Sequence, residues 1–203
     1  MIRGLTILAA TAAVAGALAA ASAPALAQQQ PFRCPAAGTV VERTNGPNLV
    51  FTSPDPADPL VCRGRHGQRL FLGYWDAQSP AVTAGRAELA RVFGGAASPG
   101  ATTRPISFFA SGTYMDSVRI EETWRMVGVE PVQVPAGSFE ALRVERHMSV
   151  PFSTYSFTEA VWLDRRTGAP VKASVSHTNA VMAPSVTNWS ATEVNAPSSQ
   201  SAR

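Results

Sequence analysis

Three histidines (His66, His147 and His177) and the carboxylates Glu122 and Glu145 are the side chains best suited to acid–base or metal chemistry. Two imidazoles and a carboxylate hold zinc when they converge. No His-x-His or HExxH spacing brings such ligands together locally, so His147, His177 and Glu145 would have to meet across strands. His66 sits in Arg63-Gly64-Arg65-His66-Gly67, a polar turn in which a lone histidine is ordinary. There is no G-x-S-x-G elbow and no glycine loop to cradle phosphate. The hydroxyls over 149–158 are what an exposed strand favours. The sequence therefore nominates no catalytic residue, no metal and no cofactor. A hydrolase with an unrecognised site would have to use Glu122 or a histidine.

Glu122 carries a second signal. Over 117–127, Val118, Ile120, Trp124 and Met126 alternate to one side, while Arg119, Glu121, Thr123 and Arg125 take the other. Parity puts Glu122 on the apolar side. Over 139–148, Leu142, Val144 and Met148 form an apolar side that Arg146 shares. Two strands thus break their own pattern with opposite charges. Either the two side chains pair across the sheet, which relieves a carboxylate costly to bury alone, or both reach the rim and stay wet.

The elements that position these residues are mostly strands. Val40-Val41-Glu42-Arg43-Thr44, the turn Asn45-Gly46-Pro47 and Leu49-Val50-Phe51-Thr52 read as a hairpin, since Asn-Gly supplies the positive φ angles the turn needs. The alternating prolines of 53–59 remove donors and predict an irregular surface loop. A strand is expected over 68–75. One helix is expected over 83–93, capped by Thr83, with Leu89, Val92 and Phe93 as its stripe and Gly94-Gly95 as its stop. Strands follow over 105–111, 117–127, 129–134, 139–148, 154–164, 171–178 and 186–194. The fold class is mostly β with minor α: a single curved antiparallel sheet, or half-barrel, with one short helix.

The ends read differently. Arg3, the apolar run from Leu5 to Ala20 and the small-x-small triplet Ala25-Leu26-Ala27 describe a cleaved signal peptide over 1–27. No later run approaches spanning length, and Cys34 lies too far beyond the apolar run to be a lipidation site. Residues 28–195 then form one domain, with a mobile lead-in over 28–35 and a disordered tail over 196–203. Arg3 is the only charged residue in the leader, so the mature chain stays weakly basic. No Lys/Arg run exceeds two residues, which argues against nucleic acid as a partner. Cys34 and Cys62 are the only cysteines, and an even count in an exported chain predicts a disulfide.

Two motifs carry a resemblance. Val132-Gln133-Val134-Pro135-Ala136-Gly137-Ser138-Phe139 and Trp162-Leu163-Asp164-Arg165-Arg166-Thr167-Gly168-Ala169-Pro170-Val171-Lys172 are each strand, tight turn and strand. In this order they resemble a group of periplasmic proteins related to the LolA/LolB/RseB-like half-barrels. The resemblance spans about 117–178. It implies a strongly curved sheet whose concave face holds lipid, acyl chains or a partner segment, and it brings no catalytic residues. The better-known carriers cover that face with several helices, whereas only 83–93 qualifies here. Trp124, Phe139, Phe152, Tyr155, Phe157, Trp162 and Trp189 therefore exceed the available cover, and apolar surface left open marks binding. The expected role is a periplasmic binding protein for an apolar, lipid-like ligand or an envelope protein segment. Its expected lining is Ile120, Trp124, Met126, Val144 and Trp162, with Glu122 and Arg146 as the polar orienting pair. A cell-envelope assembly factor that works through its sheet edges is the remaining alternative.

Overall fold

A computed structural model describes residues 31–95, 98–110, 117–179 and 187–197. The leader 1–27 and residues 198–203 lie outside them. Strands β1 (Val40–Arg43), β2 (Leu49–Asp55), β3 (Asp58–Gly64), β4 (Arg69–Phe71) and β5 (Trp75–Asp76) form one run of neighbours. Strands β6 (Ile106–Ala110), β7 (Val118–Val134), β8 (Gly137–Ser149), β9 (Ser156–Asp164), β10 (Pro170–Thr178) and β11 (Trp189–Asn195) form a second. Antiparallel pairing of β1 with β11 joins the two runs into one eleven-stranded open sheet. Its edges are β5 and β6, linked by a short helical segment made of α1 (Pro80–Ala84) and α2 (Arg86–Phe93). The mostly-β, curved-sheet expectation holds.

Register gives each strand its inner face. Met126 lies opposite Val144, Val144 opposite Val161, Val161 opposite Ala173, and Ala173 opposite Trp189. All are buried. The first run of strands curls over this face. The Trp75 ring on β5 lies 4.7 Å from that of Trp124 on β7, and the Phe71 ring on β4 lies 5.7 Å from it. Phe93 of α2 closes the same cluster, 6.1 Å from Phe71. The cover that the helix alone could not supply comes from the other half of the sheet.

Three expectations need correction. Residues 53–59 are not an irregular loop, because β2 runs through Pro54 and β3 begins at Asp58. The ladder tolerates Pro54 because it is bulged on either side, between Phe51 and Ser53 and between Pro54 and Asp55. Buried Asp55 then makes the turn by accepting from the Ala57 N–H at 2.9 Å. The strand over 68–75 is interrupted after Phe71, where Leu72 and Gly73 take positive φ and fold the chain back into β5. The helix begins earlier than Thr83: Ser79 caps α1, Pro80 follows at its first position, and the segment breaks at Gly85.

Both hairpin motifs behave as read. Val134 pairs with Gly137 around Pro135-Ala136, and Gly137 has φ 129°. The Asp164 carboxylate accepts from the Arg166 and Thr167 N–H groups and from the Thr167 hydroxyl at 2.6 Å. The lead-in is packed from Phe32 onward rather than free. Cys34 and Cys62 are joined, with Cα atoms 5.4 Å apart. Closing a separation of 28 residues contributes roughly 3.6 kcal/mol in the chain-entropy account.

Gly168 ties these features together. Its φ is 75°, and a β-carbon there would collide with the Arg33 carbonyl oxygen beside the disulfide. A β-carbon on Gly137 would meet open space. Gly137→Ala should therefore cost about 1 kcal/mol through backbone strain alone, and Gly168→Ala distinctly more. Urea midpoints of the two variants decide this; a smaller shift for Gly168→Ala would contradict the packing described.

Candidate functional site

The two pattern-breaking charges of β7 and β8 meet on the inner face. Arg146 donates through Nε and Nη2 to the two oxygens of Glu122, at 3.0 and 2.7 Å. The Trp124 indole donates to the same carboxylate at 3.2 Å. Glu122 is 1% exposed, so the cross-sheet pairing holds and the wet-rim alternative does not. A third member was missed. Glu159 on β9 lies opposite Arg146 in register, with its carboxylate 3.6 Å from Nη1, and is equally buried. The indole of Trp75, arriving from the far edge of the sheet, donates to Glu159 at 2.6 Å. The guanidinium also lies 5.6 Å from the Trp124 ring centre and 5.2 Å from that of Phe157.

One guanidinium between two buried carboxylates is an unbalanced set. Burial raises the Glu159 pKa above its ordinary value, since the charged form loses its solvation there, and the Glu122 charge pushes the same way. The Trp75 indole, Arg146 and the Tyr74 hydroxyl oppose the rise without cancelling it. Tyr74 is itself pushed up to about 12, first by burial and then by Glu159. Its hydroxyl accepts from the Trp189 indole at 3.2 Å.

A cleft of about 760 Å³ opens on this cluster. Arg146 and Glu159 lie at its floor, and Leu49, Leu70, Tyr74 and Trp75 contribute apolar surface. The β1–β2 turn at Pro47 and Asn48 and the tight turn Arg65–Gly67 form its rim, where Arg43, Arg65, His66 and Asp76 add polar groups.

The expected lining residues are distributed differently. Trp124, Met126 and Val144 are closed into the core, and Ile120 is half-buried opposite Phe108 of β6. Trp162 lies on the opposite face of the sheet, because it pairs with Arg143 and Lys172 rather than with the inward row. There its indole donates to Glu130 at 2.6 Å, while Arg143 and Lys172 stand 5.2 and 4.7 Å from its ring centre. Of the expected set, only Arg146 lines the cleft.

The histidines do not converge. His147 faces Thr158, with Nδ1 3.0 Å from its hydroxyl, whereas His177 is on the other face beside Tyr155 and Phe157. Glu145 is paired with Arg143. Among the described residues no group of three His, Cys, Asp or Glu side chains is placed to hold a metal ion, and no helix is long and apolar enough to cross a membrane. Comparison with protein-family models, with curated proteins and with solved structures finds no match to this chain.

The raised Glu159 pKa has a sign that can be measured. Folding favours the protonated form, so its contribution to stability is complete below the ordinary value of 4.5 and is lost as pH rises through the folded value. Glu159→Gln keeps an oxygen for the Trp75 indole but cannot ionise. The stability of Glu159→Gln relative to wild type should therefore rise from pH 4.5 upward in urea titrations. A difference that stays flat with pH would mean that Glu159 ionises as it does in the unfolded chain.

Proposed function

We propose that this protein is an exported, periplasmic binding protein that holds a lipid-like ligand in the cleft above Arg146 and Glu159. The observation that carries the reading is the cleft itself. Its volume of about 760 Å³ is in the range of small-molecule sites, which combine apolar walls with a few fixed polar groups. Here Leu49, Leu70, Tyr74 and Trp75 are the apolar part, and the cluster of Arg146 and Glu159 is a floor whose geometry is already set by hydrogen bonds. Export is supported by the leader-like first 27 residues and by the disulfide, which suits an oxidising compartment. The resemblance of 117–178 to periplasmic half-barrels supports the same compartment and a ligand-carrying role. The core placement of Trp124, Met126 and Val144 moves the proposed site from the centre of the concave face to this cleft.

A neutral apolar dye such as Nile red should bind the folded protein saturably. Asn48→Trp, at an exposed position on the rim, should weaken that binding about tenfold, equivalent to ~1.4 kcal/mol. Phe152, fully exposed on the β8–β9 turn, and Phe109, exposed on β6, are the competing apolar surfaces among the described residues, and Phe152→Ser or Phe109→Ser should leave binding unchanged. Dye binding that is lost with either serine variant and kept with Asn48→Trp would put the site elsewhere; no saturable binding would remove the reading.

A further inference from the structure

We propose that the cleft is an oxyanion site: it takes a ligand whose carboxylate or phosphate group sits against Arg43 and Arg65, with its apolar body toward Leu49 and Leu70. The inference rests on the cleft being a binding site and goes beyond it by naming the chemistry of the ligand's head. It follows from an account of the charges around the cleft. Three guanidiniums line it, those of Arg43, Arg65 and Arg146, against the carboxyl groups of Asp76 and Glu159. Arg146 is already neutralised, because both oxygens of Glu122 and one of Glu159 face it. Neither Arg43 nor Arg65 has a carboxylate within ion-pair distance among the described residues.

Arg43 is the more telling of the two. Its guanidinium is fixed, since Nε donates to the Pro47 carbonyl at 2.8 Å and the group stands over the Trp189 ring at 5.1 Å from its centre. It is also half-buried, and that burial pulls its pKa below the ordinary value of 12.5. A guanidinium held still, partly stripped of water and left without a counter-ion is the arrangement that an incoming oxyanion satisfies most fully. No side-chain reorganisation is then needed on binding. Arg65, exposed on the tight turn across the cleft, adds a second positive charge on the same rim.

The opposite charge has a smaller opening, confined to the rim. Glu159 is held by the Trp75 indole and Arg146, and burial favours its neutral acid. Asp76 accepts from the Gln78 N–H at 2.9 Å and serves the turn that enters α1. A cationic head would therefore meet two arginines without an ion-pair partner among the described residues and, against them, the single carboxylate of Asp76, exposed on the rim.

Calorimetry of the full mature protein at neutral pH with decanoate, decanol, decyltrimethylammonium and inorganic phosphate tests this. Decanoate should bind about tenfold more tightly than decanol, the scale of one charge-assisted hydrogen-bonded contact. Arg43→Gln should erase that difference, and Arg65→Gln, at an exposed position, should reduce it. If Arg43→Gln does not fold by circular dichroism, the Arg65→Gln result decides. Phosphate that displaces decanoate would identify a free oxyanion as a sufficient ligand. Decanoate that phosphate cannot displace would assign the site to a lipid-like carboxylate. Equal binding of decanoate and decanol, or preferential binding of decyltrimethylammonium, overturns the oxyanion inference and leaves the cleft reading intact. Absence of binding by all four removes the cleft reading instead.

Discussion

The guanidinium of Arg146, set between the buried carboxylates of Glu122 and Glu159, is the contact on which the rest of the architecture depends. Each of the three groups would be expensive to bury alone, at several kcal/mol of lost hydration. Together they span β7, β8 and β9 on the inner face. A cluster of this kind is a weak source of net stability, because desolvation offsets most of the attraction. Its consequence is geometric. Any arrangement of the strands that separates the three leaves a bare charge in an apolar core, so register across the centre of the sheet is fixed by a large penalty against the alternatives.

The same cluster explains how an open sheet with so little helix hides its aromatic residues. Glu159 accepts from Trp75, which belongs to the last strand of the opposite run. That hydrogen bond crosses the hollow of the sheet and holds its far edge down on Trp124. Phe71, Leu72 and Phe93 fill the space beneath. Between the β1–β2 turn and the Arg65–Gly67 turn the curl leaves a space unfilled, and there the cleft approaches the polar floor of the cluster. Structure and candidate site thus share one set of side chains. A substitution that disturbs the floor should be felt in the curl as well.

Much of this was legible in the sequence and some was not, for reasons that separate cleanly. Strands β7 to β10 and their turns are local events, set by alternation and by Pro135, Gly137, Asp164 and Gly168. Glu122 and Arg146 betrayed themselves by breaking parity. Glu159 lies in step with Phe157, Val161 and Leu163, but Ala160 and Trp162 make the other face of that strand apolar as well, so alternation does not single it out. Proline content alone points away from a strand over 53–59, whereas bulges on either side of Pro54 let the ladder accommodate it. Ser79-Pro80 is a stronger start signal than Thr83, because the serine caps the first turn and the proline presets its φ. The burial of Trp124 could not be read locally at all. It depends on β4 and β5, about fifty residues earlier, folding back across the sheet, and on Leu72 and Gly73 turning the chain with positive φ.

The bond that closes the curl is the most direct point of attack. A double-mutant cycle with Trp75→Phe and Glu159→Leu, each of which removes the hydrogen bond, isolates in urea unfolding the energy that the two residues share. Trp75→Phe removes the indole donor and keeps an aromatic ring against Trp124. A buried hydrogen bond to an acidic group that fastens the edge strand predicts a coupling of about 1.5 kcal/mol. A coupling near zero would contradict it, for then the edge of the sheet would be held by packing alone and the cluster would end at Glu122 and Arg146.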